Sequence, residues 1–164
     1  MDPLIIPGQA SRSSIAIQTR TGWDIPNSQS FDVTPWIENQ LQELKRKYPN
    51  AVFRTKAIPV FNCHGLTFGA RRTTISETSA VQRILKDDCY EEVPQEKVEP
   101  GDVILYVSSE DNDVEHSGII IEPPSAPLFV PKVWSKWGIG AEVVHWANNC
   151  PYDFSQARYY RIQT

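Results

Sequence analysis

The chain has no apolar run long enough to span a bilayer, no Cys-x-x-Cys pair and no strongly basic stretch. Each absence removes a class of function. A helix needs about 20 consecutive apolar residues to cross the hydrocarbon core, so no membrane span is expected. The three cysteines, Cys63, Cys89 and Cys150, are widely and irregularly spaced, whereas a zinc ribbon or a thioredoxin-like redox pair needs short spacings. The odd count leaves two states open, one disulfide with a free thiol or three reduced thiols. Lys and Arg number 16 against 20 Asp and Glu, a formal charge of −4. That balance argues against nucleic acid or an anionic membrane as partner, because both are bound by clustered cations. The densest basic run, Lys45-Arg46-Lys47, closes an expected helix, where cations meet the negative end of the dipole. Met1 to Arg20 has no basic patch leading into an apolar stretch, so no secretory signal is read there. The expectation is a cytoplasmic protein, with export by a signal-independent route left open.

What is present is the composition of an ordinary globular protein. At 164 residues, 40% hydrophobic and 22% charged, the chain can build one normal core and has little room for a second domain. Residues 1–33 are rich in Ser, Thr, Gln, Pro and Gly and read as a strap or tail, leaving 34–164 as the domain proper. Thr34 as cap, Pro35 in the first turn, and Ile37, Leu41, Leu44 and Tyr48 on one face predict a helix ended by Pro49-Asn50. After an extended piece from Ala51 to Val60, a short helix is expected from Cys63 to about Ala70, and another from Ser76 to Lys86. From Pro100 the period changes, and strands are expected over 103–107, 116–122, 132–137, 142–146 and 157–162. Helices first and an antiparallel sheet of about five strands afterwards is an α+β signature.

One constellation carries chemistry. A free thiol titrates near 8.5, and catalysis needs thiolate, which a helix N-terminus or a neighbouring imidazolium favours. Cys63 stands at an expected helix start, and Gly65 permits another backbone to approach closely. His116 stands where a polar loop meets an apolar strand, with Gly118 clearing space for a helix lying across. His145 is the candidate for the third group that orients the imidazole, with Glu142, Asn148 and Asn149 as rivals. His64 diverges from Cys63 by about 100° on a helix and reads as structural or substrate-lining. Cys89 lies among acids and reads as structural, while Cys150 sits in a loop near the proposed site. Trp134, Trp137 and Trp146 read as packing rather than groove lining. Cys63, His116, His145 and Cys150 are ligand types that suit zinc, but their spacing does not, so neither metal nor cofactor is expected.

Four stretches taken in order resemble the NlpC/P60-type cysteine peptidases. Asn62-Cys63-His64-Gly65-Leu66 is similar to that family's nucleophile motif at a helix start. Pro100-Gly101-Asp102-Val103-Ile104 and His116-Ser117-Gly118-Ile119-Ile120 resemble its two base-bearing strands, and Val143-Val144-His145 resembles the strand of its third residue. The chain departs from the pattern at His64, where a small residue is usual, and in the long segment Glu122 to Ala141 between the histidines. The resemblance implies a papain-like α+β fold, with the nucleophile helix packed on an antiparallel sheet and 34–164 as the catalytic domain. It implies amide hydrolysis through an acyl-enzyme, with Cys63, His116 and His145 catalytic and a peptide or peptidoglycan fragment as substrate. An immunity protein becomes an expected partner if the chain is a delivered toxin. The alternatives are an acyltransferase or thioesterase on the same scaffold, or a peptide-binding module without turnover.

Overall fold

The computed structural model describes residues 13–164, so the first twelve residues of the expected strap lie outside it. The elements in chain order are α1 (Pro35–Lys47), β1 (Val52–Phe53), α2 (Cys63–Phe68), α3 (Thr78–Asp87), β2 (Tyr90–Val93), β3 (Val103–Val107), β4 (Val114–Glu122), β5 (Lys132–Lys136), β6 (Glu142–Trp146) and β7 (Arg158–Ile162). The strands form one sheet in the order β1-β6-β5-β4-β3-β7-β2, and every pair is antiparallel. The sheet has seven strands rather than about five. The two additions are its edges, β1 of two residues and β2 of four with Glu91 and Glu92 at its centre, both too short for alternation to give much signal.

Local chemistry accounts for the elements. Thr34 Oγ1 accepts from the Ile37 amide at 3.3 Å, and Ile37 and Leu41 are the buried face of α1. All five residues of β3 are buried, as an apolar strand inside the sheet must be. Asp102, before β3, accepts from the Glu99 amide and takes both prongs of the Arg161 guanidinium at 2.8 and 2.7 Å. Pro100-Gly101-Asp102 is therefore a structural turn tied to β7, and Gly101, at φ +95°, sits where a side chain is strained.

Residues 13–33 are a strap held on the domain. Ile25 packs with Ile75, Ala80 and Ile84. The hydroxyls of Thr21 and Thr19 donate to Asp87 at the end of α3, at 2.6 and 2.8 Å. Hydrogen bonds led by Thr21 hold the Asp87 carboxyl down at about 2.

The sheet has two different faces. On one, Val81 of α3 packs against Leu105, Val107 and Val114, and α2 lies over β4 and β5. On the other, Ile104, Tyr106, Ile120, Val133, Val143 and Trp137 form the main core, closed by Leu44 of α1 and by Tyr48 just after it. The segment between the histidines supplies β5, which is inserted between β4 and β6. The histidine strands therefore do not lie side by side. Register still puts both rings on the main-core face, because Gly118 is opposite Ser135 and Ser135 opposite Val143. His116 and His145 each lie two residues from those positions, hence on the same side.

Candidate active site

Cys63 is held from both sides. Before it, the Lys136 ammonium donates to Ile58 O at 2.6 Å and Phe61 O at 2.8 Å, fixing the loop that enters α2. Asn62 caps the helix, its Oδ1 accepting from the Gly65 amide at 2.9 Å, while its Nδ2 donates to Ile75 O at 2.8 Å. After it, a Cβ on Gly65 would stand 1.8 Å from Thr73 O, so only glycine allows that backbone approach.

The thiol lies where two strands part. Ile120 exchanges backbone hydrogen bonds with Gly101 and Asp102 on the β3 side. By alternation His116 and Gly118 also turn their backbone groups toward β3, and Ser117 turns toward β5. The β4–β5 ladder runs no further than Gly118 and Ser135. The Ser117 amide acts instead on the Cys63 sulfur, together with the amides of His64 and Cys63 itself. These donors and the nearby Lys136 charge favour thiolate, but burial outweighs them and pushes the thiol up to about 11. The helix start therefore does not deliver the low-pKa thiolate that its position leads one to expect. A helix of six residues has a weak dipole, and desolvation of a buried anion is the larger effect.

His116 is fully buried, and neither ring nitrogen has a hydrogen-bond partner. Its contacts are aromatic. Tyr152 stacks on it with centroids 3.7 Å apart and planes within 5°, and Tyr106 lies tilted at 5.2 Å. Burial, then the neighbouring His145 and His64, push its pKa well below the ordinary value, so the ring is neutral. Tyr152 also neighbours the sulfur: its hydroxyl is raised first by burial and then by Cys63. The loop carrying Tyr152 is pinned at Ala147 O, which accepts from Tyr106 Oη at 2.6 Å and from Cys150 Sγ at 3.6 Å. Cys150 is thus a buried loop anchor, and Cys89 is exposed; all three cysteines are free.

His145 is near His116 but not bonded to it. Its Nδ1–H donates to Trp146 O at 2.8 Å, which leaves Nε2 to accept from the Ser135 hydroxyl at 2.7 Å. Burial lowers it to about 4. Gly118 serves this arrangement rather than a crossing helix. A Cβ there would meet Val133 Cγ1 at 2.5 Å and Ser135 Cβ at 3.0 Å, so the missing side chain makes room for β5. Glu142 lies on the other face, where it accepts from Arg71 and from Trp134 Nε1 at 2.9 Å. Among the described residues, neither Asn148 nor Asn149 hydrogen-bonds a histidine ring.

His64 completes the opposite face. Its Nδ1 is hydrogen-bonded with the Ser117 hydroxyl at 2.7 Å and its Nε2 faces Val114 O at 3.3 Å, while the Ser117 hydroxyl itself donates to Thr67 Oγ1 at 2.9 Å. Burial lowers it to about 4, so it too is neutral.

Three contributors were not visible in the sequence reading: Lys136, the Ser117 amide and Tyr152. Trp137 is both core and groove: it is 3% exposed, meets His145 edge-on at 5.3 Å, and lines a cavity beside α1. Among the described residues no three or more His, Cys, Asp or Glu side chains gather as a metal site. Compared with protein-family models, curated proteins and solved structures, the chain matches none of them.

Proposed function

We propose that the protein is a papain-like cysteine hydrolase of the NlpC/P60 type, with Cys63 as nucleophile and His116 as base. One observation carries the reading. His116 is a fully buried imidazole with both nitrogens unpaired, one residue from the amide that acts on the Cys63 sulfur at the start of α2. Buried polar groups are almost always paired, and an exception calls for a role.

Both partners rest neutral, so the proton moves as the bond forms. The Cys63 sulfur attacks the carbonyl carbon while His116 takes the thiol proton. The amides of Cys63, His64 and Ser117 are the donors at hand for the developing oxyanion. His116 then gives its proton to the leaving amine as the C–N bond breaks, which leaves a thioester on Cys63. Water, deprotonated by His116, attacks the thioester, releases the acid and restores the thiol. Tyr152 covers the imidazole in the resting site and swings aside for this exchange. His145 supports the geometry through Ser135 and the β5 register rather than by direct contact.

The sequence resemblance nominates a peptide amide, with cell-wall stem peptides among the candidates, met either as a delivered toxin or on recycled fragments. Incubating peptidoglycan and soluble stem peptides with wild type and Cys63→Ala tests this. New free amines with wild type alone support the wall-peptide substrate, whereas no cleavage together with hydrolysis of an ester or thioester probe keeps Cys63 as nucleophile and moves the substrate elsewhere. Absence of both cleavage and any acyl adduct on Cys63 overturns the hydrolase reading.

A further inference from the structure

A cavity of about 520 Å³ lies between α1 and the Trp137–Ala141 turn, within the size range of small-molecule sites. Its α1 wall is Ile37, Leu41 and Leu44, one helical stripe, and Ile139 and Tyr152 stand opposite. No Asp, Glu, Lys or Arg lines it. The cavity borders the proposed site through three residues, although neither Cys63 nor His116 lines it. Asn62 precedes Cys63 and caps its helix, Tyr152 stacks on His116, and Trp137 meets the ring of His145. Trp137 also carries the one other buried, unpaired side-chain nitrogen or oxygen among the described residues, its indole N–H. An uncharged, largely apolar groove, with Gln40, Asn62, Thr74 and Ser76 as its polar lining and set beside the start of the nucleophile helix, matches a hydrocarbon chain that ends in a carbonyl. It does not match a charged stem peptide, whose carboxylates and ammonium groups find no partner here.

We infer that this groove is the acyl site of the Cys63–His116 enzyme and takes the uncharged aliphatic acyl chain of an ester, thioester or N-acyl substrate. The inference rests on the hydrolase reading and names its substrate. The chain lies along α1, its carbonyl carbon reaches the Cys63 sulfur, and the alcohol, thiol or amine leaves with the proton from His116.

The test is hydrolysis of p-nitrophenyl acetate, butyrate, hexanoate, octanoate and decanoate, with mass-spectrometric mapping of the adduct on Cys63. For wild type, kcat/KM should climb with chain length, by up to about fourfold per methylene at full burial. Gln40→Glu places a charge in the groove from a half-buried position of α1. It should cut the decanoate-to-acetate ratio at least tenfold. A flat series with a Cys63 adduct present overturns the acyl site and leaves the hydrolase standing. No Cys63 adduct from any ester sinks the hydrolase itself. The groove is then judged on Cys63→Ala by calorimetry with 2-undecanone, which carries chain and carbonyl but no leaving group. Saturable one-to-one binding, weakened by Gln40→Glu, supports the site; no binding overturns it.

Discussion

Strand β4 has buried histidines on both its faces, and they differ in one respect that separates structure from chemistry. On the α2 face, both His64 nitrogens face polar partners, Ser117 Oγ at 2.7 Å and Val114 O at 3.3 Å. On the main-core face, His116 has neither bonded, and the only other buried orphan among the described residues, Trp137 Nε1, lies on that side too. Burial alone therefore does not mark a functional histidine, because His64, His116 and His145 are all buried and all neutral. What distinguishes His116 is unpaired capacity one residue from the Ser117 amide that acts on the Cys63 sulfur. A fold tolerates such a cost, about 1–3 kcal/mol per orphaned group, where a reaction uses the group.

The largest effect expected from this contrast is on turnover. His116→Phe keeps a ring between Tyr106 and Tyr152 and removes two orphaned atoms, so stability should hold or rise while turnover falls by about 10²–10⁴-fold. His64→Phe should do the reverse. It strips partners from Ser117 and Val114 and should cost several kcal/mol in urea unfolding before any effect on chemistry is read. If His116→Phe unfolds the protein and His64→Phe does not, the two faces have been assigned the wrong way round.

The next effect is on pH dependence of stability. His64 and His145 titrate at about 4 in the fold and near 6.5 unfolded. Between those values the unfolded chain binds more protons, so stability is present above pH 6.5 and is lost as pH falls toward 4. The loss is about 3 kcal/mol for each of the two, and His116, also depressed, adds to it. Thermal melts from pH 7 to 4 should show the fall, and His116→Phe should make it shallower. A melting temperature constant over that range contradicts the neutral, buried assignment.

A smaller effect is expected from Lys136→Met. It removes two charge-assisted hydrogen bonds to the loop before Cys63, roughly 1.5–3 kcal/mol each at most. Lys136 is completely buried, and burial lowers it to about 8. Chemical denaturation and the KM-against-kcat split should both move, because the loop that carries the nucleophile loosens. Wild-type values in both would remove Lys136 from the account.

The smallest effect is in labelling order. Cys89 is exposed, whereas Cys63 and Cys150 are buried with thiols pushed up by desolvation. Limiting iodoacetamide at neutral pH should therefore modify Cys89 first in the free protein, and Cys63 only when Tyr152 opens. Preferential labelling of Cys63 at pH 6 would mean that its resting state is thiolate after all.

Much of the frame is legible in the residues. Thr34-Pro35 starts a helix, Asn62 caps another, and the apolar runs at 103–107 and 142–146 are strands with the expected bounds. Short polar edges are not legible, because Tyr90-Glu91-Glu92-Val93 becomes a strand only by pairing with β7. Nor is the state of the thiol. Sequence places Cys63 at a helix start, but burial, set by β4, β5 and the Tyr152 loop, decides its charge. Gly118 shows the same limit from another side, since its empty space belongs to a neighbouring strand that local pattern cannot identify. The role of Lys136 depends on where the Ile58 and Phe61 carbonyls arrive, and that is tertiary.

The most direct test of the central claim is trapping of the acyl-enzyme. Wild type, Cys63→Ala and His116→Phe are incubated with an activated acyl donor, quenched in acid and mapped by peptide mass spectrometry. The account predicts a single acyl adduct on Cys63 in wild type, none at position 63 in Cys63→Ala, and strongly slowed formation in His116→Phe. Folded wild type that carries no adduct on Cys63, or that acylates at Cys89 alone, contradicts it.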